Sequence, residues 1–129
     1  NIDRGAACIQ YDRTTDWVKE NLVSPVKILE KAEHHMIEQT GLHKLEFIET
    51  TRHWFDEKLK FTCDESVNVI NLIEGEEAVI TSVDGSFPPY VVHYAETFIV
   101  PECVKEYEIA PYGLSEGKEI AVIKAKVRN

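Results

Sequence analysis

The sequence is short of positive charge, of long apolar runs and of paired cysteines, and each shortage excludes a class of protein. Fourteen Lys and Arg stand against 23 Asp and Glu, giving a formal net charge of −9 and a pI near 5.0. A chain so acidic has no basic face with which to neutralise nucleic-acid phosphates. It can still hold a phosphorylated small molecule, because one arginine in a pocket outweighs distant surface charge. No apolar run approaches the ~20 residues of a membrane-spanning helix. A basic start followed by an apolar stretch, the mark of a secretory signal, is also missing. Cysteines number three, Cys8, Cys63 and Cys103. Their odd count and the lack of a CxxC pair predict buried free thiols in a reducing compartment, hence a cytoplasmic protein. What is present is 129 residues, 43% of them apolar, enough for one compact core. The chain opens at Asn1 without an initiator Met, as an excised fragment or a trimmed chain would.

Hydrophobic patterning changes character along the chain. Ala7-Cys8-Ile9-Gln10-Tyr11 reads as a short strand, and Asp16 as the cap of a helical turn through Trp17, Val18 and Leu22. Ser24 is an N-cap candidate, Pro25 suits a first helical position, and Gly41 suits a stop. Between them Leu29, Ala32, Met36 and Ile37 recur at helical spacing, which predicts a helix over 25–39. Beyond Gly41 the pattern alternates instead. Short strands are expected around Leu45–Thr51, Trp54–Phe61, Val67–Ile73, Ala78–Val83, Tyr90–Tyr94, Thr97–Val100, Val104–Ile109 and Ile120–Val127. Glu74-Gly75-Glu76 should turn the third of these back onto the fourth as a hairpin, and Asp84-Gly85 and Pro88-Pro89 mark further turns. The expectation is a mainly β protein, a barrel or sandwich over 44–129, preceded by a junction strand and helical extension over 1–43.

Four local features carry a family resemblance. His53-Trp54-Phe55 runs into Glu57-Lys58-Leu59-Lys60-Phe61, similar to an entry strand of the form F-x-V-x-x-L-x-L. Val67 to Glu76 resembles V-L-x-V-I-E-G-E-G. Ala95-Glu96-Thr97-Phe98-Ile99-Val100-Pro101 resembles G-E-T-F-x-V-P-A, and Lys105 to Ile109 a final Y-x-I/L strand. Upstream, Gln10-Tyr11-Asp12-Arg13 resembles a Y-D-Y-D-R junction segment. Together they resemble the C-terminal cupin domain of the type I mannose-6-phosphate isomerases, a jelly-roll barrel. The resemblance implies a parent that interconverts an aldose phosphate and a ketose phosphate. Its zinc would be held by a Gln, a Glu and two His on a portion preceding this sequence, so this chain itself is expected to hold no cofactor and to be inactive alone. The family's catalytic arginine falls near Ile2-Asp3-Arg4-Gly5, which makes Arg4 the candidate group for stabilising an enediolate or binding phosphate. Arg13 matches an arginine of structural character.

The general cupin metal pattern can be laid on the same strands. Anchored on Gly75, it puts Asn68 at the Glu position and Asp64 or Cys63 at the second His. Anchored on Pro101, it puts Ala95 and Cys103 at glycine positions, Glu106 at the His and Ala110 at the Asn. No histidine falls in place, so no barrel metal site is expected.

Other titratable residues read as follows. Glu30, His34 and Glu38 would share one face of the expected helix, with His35 about 100° away, and read as a solvated acidic face. His43 and His53 read as surface or edge residues, while the face of His93 depends on register. Cys8 and Cys103 read as buried and inert. Asp64-Glu65, Glu74 and Glu76-Glu77 read as charges flanking turns. Two functions follow. The first is the C-terminal cupin portion of an isomerase-like protein, acting on a sugar phosphate only in the intact parent. The alternative is a stand-alone metal-free cupin that binds a sugar or serves as a regulatory or dimerisation module, a homodimer formed through edge strands.

Overall fold

The computed structural model describes residues 1–23, 25–40 and 46–128. Ser24, Gly41, His43 and Leu45, named above, lie outside the described residues. Two short helices come first, α1 (Ile2–Ala7) and α2 (Thr15–Asn21), and neither contains a buried residue. Among the described residues ten strands follow: β1 (Lys27–Lys31), β2 (His35–Gln39), β3 (Ile48–Phe55), β4 (Leu59–Thr62), β5 (Asn68–Glu74), β6 (Glu77–Ser82), β7 (Tyr90–His93), β8 (Thr97–Val100), β9 (Glu106–Pro111) and β10 (Ile120–Val127). They form a six-stranded sheet in the order β1-β2-β3-β10-β5-β8 and a four-stranded sheet in the order β4-β9-β6-β7. Every pairing is antiparallel. No helix among the described residues is long and apolar enough to cross a membrane.

Alternation decides which face of each strand turns inward. On β5, Asn68, Ile70 and Leu72 are buried while their neighbours are less so. On β9, Tyr107 and Ile109 face in, and on β6, Ala78 and Ile80. Phe55, Ile70, Leu72, Ile120 and Val122 from the large sheet meet Phe61, Ile80, Val92, Tyr107 and Ile109 from the small one in a single core. Each fully buried side chain of this size contributes about 1.5–3 kcal/mol.

Three local expectations are corrected. The helix over 25–39 is a β-hairpin, β1–β2, added to the edge of β3. Its alternation puts His35, Ile37 and Gln39 opposite Phe55, His53 and Thr51, on the inward face. Glu38 faces the other way, where it accepts hydrogen bonds from Arg52 Nε at 2.7 Å and Trp54 Nε1 at 2.9 Å. Those cross-strand partners lie 14 and 16 residues away, beyond the reach of any local pattern. Ala7–Tyr11 is not a strand: α1 ends at Ala7 and a turn follows. The expected turn around Trp17 is present as α2, with Thr14 at the N-cap position instead of Asp16.

Glu74-Gly75-Glu76 does not close a hairpin either. β5 pairs with β10 and β8, whereas β6 pairs with β7 and β9, so this turn carries the chain from one sheet to the other. Ser115 Oγ accepts from the amides of Glu76 (2.8 Å) and Glu77 (3.0 Å) and fixes the corner. Gly75 is required there twice over. Its φ is +99°, and a Cβ would sit 2.5 Å from Ile120 Cγ2.

The turn between β7 and β8 places Ala95 at φ +65°, where the motif it resembles has glycine. An L-residue with a Cβ is strained in this region. Ala95→Gly should therefore raise stability by about 0.5–1 kcal/mol, measured as a higher urea midpoint at unchanged slope. A lowered midpoint would show that the turn is not strained.

Candidate functional site

Between the sheets the interior is apolar at one end and polar at the other. The polarity originates on β10, whose inward residues run Ile120, Val122, Lys124 and Lys126. Across the sheet these stand opposite Phe55, His53, Thr51 and Glu49 of β3. Apolar pairs therefore give way, two residues at a time, to ionisable ones.

Lys124 is only 7% exposed. Its Nζ donates to the Thr62 carbonyl at 2.9 Å and lies 3.6 Å from Asp64 Oδ2. Burial lowers its pKa, with Asp64 opposing that shift. Lys126 Nζ reaches the same Asp64 oxygen at 3.0 Å. Asp64 is held by a tight turn in which both Asp64 and Glu65 have positive φ, 47° and 59°. The Thr62 hydroxyl donates to Asp64 Oδ1 at 2.5 Å, and this bond, with Lys126, holds the carboxyl below its ordinary pKa.

Deeper in, Asn68 is fully buried. Its Nδ2 donates to the Thr62 carbonyl and to Tyr107 Oη, both at 2.8 Å. A carbonyl only accepts, so the amide orientation is fixed and Asn68 Oδ1 is the oxygen left without a hydrogen-bond partner. Tyr107 stacks on Phe61 with ring centroids 5.5 Å apart, and burial pushes its hydroxyl pKa up.

His53 departs from its expected edge position and is 6% exposed. Its ring lies 4.9 Å from that of Phe61, and Nε2 shares a 2.8 Å hydrogen bond with Thr51 Oγ1. Nδ1 has no partner. Burial, reinforced by the charge on Lys124, brings its pKa down to about 4, so the ring is neutral at pH 7. The alternation His53–Phe55 was visible in the sequence, but its inward phase was not.

A cleft of about 610 Å³ opens at this polar end, lined by Gln39, Glu49, Asp64, Glu65, Lys126 and Arg128. A second, of about 620 Å³, lies where edge strand β8 of the large sheet approaches edge strand β7 of the small one. Phe87, Pro88, Phe98, Pro101 and Val104 line it above Ile80 and Val100, with Tyr90 and Ile99 exposed at its rim. No charged side chain lines it.

The remaining sequence candidates are dispersed. Arg4 lies in α1, exposed, where its amide N–H donates to the Asn1 side chain. His34 and His35 stand on the β1–β2 hairpin, not on a helix face. His34 contacts Asp56 at 3.1 Å, a hydrogen bond that raises its pKa, and His35 contacts Glu30 at 2.9 Å. His93 is exposed beside Glu96 and Glu77. Cys63 is buried as expected, but Cys8 and Cys103 are exposed. Cys8 caps the C-terminus of α1 and Cys103 lies in a single helical turn over Glu102–Val104, so neither sits on a strand whose alternation would bury it. Among the described residues no group of three or more His, Cys, Asp or Glu side chains is placed to hold a metal ion.

No family model and no curated protein sequence matches the chain. Its fold nevertheless has solved counterparts. The chain aligns over 80% of its length with mannose 6-phosphate isomerase from Bacillus subtilis at 14% identity, with a TM-score of 0.59. A cupin superfamily protein from Desulfitobacterium hafniense aligns over 78% at 14% identity and 0.55, covering 83% of that chain. Vicilin from Corylus avellana aligns over 79% at 15% identity and 0.61, covering 31% of that chain. Likeness at these identities concerns architecture, and the architecture is cupin-like. The chain spans 28% of the length of the B. subtilis isomerase.

The cupin metal pattern falls on the strands described above, where Phe61 and Tyr107 stack, Asn68 donates its amide group to Tyr107 and Thr62, and the ammonium of Lys124 bears electrostatically on the His53 imidazole.

The neutral burial of His53 has a consequence for stability. As pH falls from about 6.5 to 4, the unfolded chain takes up a proton that the native ring refuses. Stability conferred by this group is thus complete above pH 6.5 and lost on acidification, by about 3 kcal/mol in total. Urea unfolding at pH 7 and pH 4.5 should show most of that loss, and His53→Phe should remove it. Equal acid sensitivity in the variant would assign the effect elsewhere.

Proposed function

We propose that this chain is a metal-free cupin portion of a mannose-6-phosphate isomerase-like protein, in which catalysis depends on a partner half. The observation that carries this reading is the state of Asn68, which stands where the cupin metal pattern has a ligand and instead donates its amide to Tyr107 and to the Thr62 carbonyl, beside the Phe61–Tyr107 stack. The sequence motifs and the shared architecture with the B. subtilis isomerase support the family assignment. In such a parent, zinc held by the preceding portion would polarise the sugar carbonyl and orient the substrate. This chain would supply a rigid packing surface and, from its exposed first turn, the Arg4 guanidinium for an enediolate or phosphate oxygen. Three unpaired thiols suit a cytoplasmic setting.

Two assays test this reading together. The purified 129-residue chain should retain only substoichiometric zinc after dialysis without chelator and should not isomerise mannose 6-phosphate. Near-stoichiometric zinc, or turnover by the chain alone, would sink the proposal.

The apolar cleft between β7 and β8 favours a second reading, a module that pairs with its own copy. Tyr90 and Ile99 are 58% and 64% exposed on edge strands whose backbone groups are available for pairing. Sedimentation equilibrium should then show a concentration-dependent dimer that Ile99→Lys abolishes. A monomer throughout the micromolar range would exclude it.

A further inference from the structure

The cleft between β7 and β8 is uncharged in a chain of which 29% is charged. Ten residues line its volume of about 620 Å³, and among the described residues only the hydroxyls of Thr97 and Tyr90 supply polar side-chain groups there. Ile80 and Val100 at its floor are 3% and 5% exposed, so the cleft reaches down to the core itself. An uncharged concavity of this kind marks a place where something binds.

Its walls are fixed in advance. Phe87 and Pro88 stand on the loop after β6, where the Ser86 amide donates to Ser82 Oγ at 2.9 Å and to Asp84 Oδ1 at 3.0 Å. Val104, in the turn that follows β8, donates its amide to the Pro101 carbonyl at 3.1 Å. Phe87, Phe98 and Val104 all pack against the core. The rim, by contrast, offers backbone polarity. β8 is an edge of the large sheet, and the Leu72 amide of β5 donates to the Glu96 carbonyl just before it. Alternation along the ladder then turns the N–H and C=O groups of Thr97 and Ile99 away from β5. Both residues line the cleft.

These features select the occupant. A charged group would lose its water on entering and meet no counter-charge. A folded partner needs about 20–30 residues a side for a stable contact, at least about twice the ten that line this cleft. Pairing of two copies along the strand edges would engage the rim and leave the floor unfilled. The volume instead falls within the range of small-molecule sites. We infer that the cleft is a binding site for a small, uncharged, mainly apolar molecule. Its ring or branched chain rests on Ile80 and Val100, and one neutral polar group meets the Thr97–Ile99 edge. This site is independent of zinc, of turnover and of any partner half.

The test is an NMR titration of the methyl-labelled chain with cyclohexanol and with indole, following the methyl groups of Ile80, Ile99 and Val100. Sodium cyclohexanecarboxylate serves as the charged counterpart. Saturable shifts of these methyls with at least one neutral probe are expected, with the carboxylate bound about tenfold more weakly or worse. Phe87→Ala, which removes an aromatic wall from a surface loop, should weaken binding about tenfold. Should that variant fail to give a folded spectrum, Tyr90→Ser at the exposed rim serves instead, with a loss of about threefold expected. No saturable shift with either neutral probe, equal binding of the carboxylate, or unaltered binding in the folded variant would each overturn the inference. So would the same methyl shifts on raising the protein concentration alone, which would make a second copy the occupant.

Discussion

The pairing of β10 on both of its edges is the contact on which the large sheet depends. It lies between β3 and β5, with eight consecutive residue partners on the β3 side. Without it the β1–β2–β3 unit at one end of the sheet would have no hydrogen-bonded connection to β5 and β8 at the other. This strand thus joins elements that all precede it in the sequence. Such long-range closure carries a loop entropy that must be met before the core rewards it, and it places this fold among the slower ones. The same strand also orders the interior. Ile120 and Val122 continue the apolar core, while Lys124 and Lys126 meet Asp64 at its polar end, so one alternating segment carries both the core and the polar end of the interior.

The corner at Gly75 shows how the second sheet is held to the first. Ile120 at the start of β10 packs where a Cβ on residue 75 would stand, and Ser115 secures the amides that follow. Sheet-to-sheet passage and the β10 entry are therefore a single packed unit. A side chain at position 75 would displace Ile120 as well as strain the backbone, and the disturbance would reach Phe55, its partner on β3.

Much of this was legible in the sequence. All eight strands from β3 to β10 fall within a few residues of the alternating segments, because each buries one face and leaves its mark at period two. The β1–β2 hairpin reads as a helix because Leu29, Ala32, Met36 and Ile37 satisfy helical spacing, and the deciding Arg52–Glu38–Trp54 contacts are formed only once β3 is in place. Glu74-Gly75-Glu76 announced a turn correctly but not its destination, since a glycine at positive φ serves a hairpin and a sheet crossing alike. At the site, the metal pattern laid on these strands falls on Asn68 and Cys63, both of which are fully buried. His53 escaped because burial depends on which face of β3 meets the small sheet. Lys124 carries no burial signal of its own in the sequence, and only its place opposite Thr51, on the inward stripe of Ile120 and Val122, puts it inside.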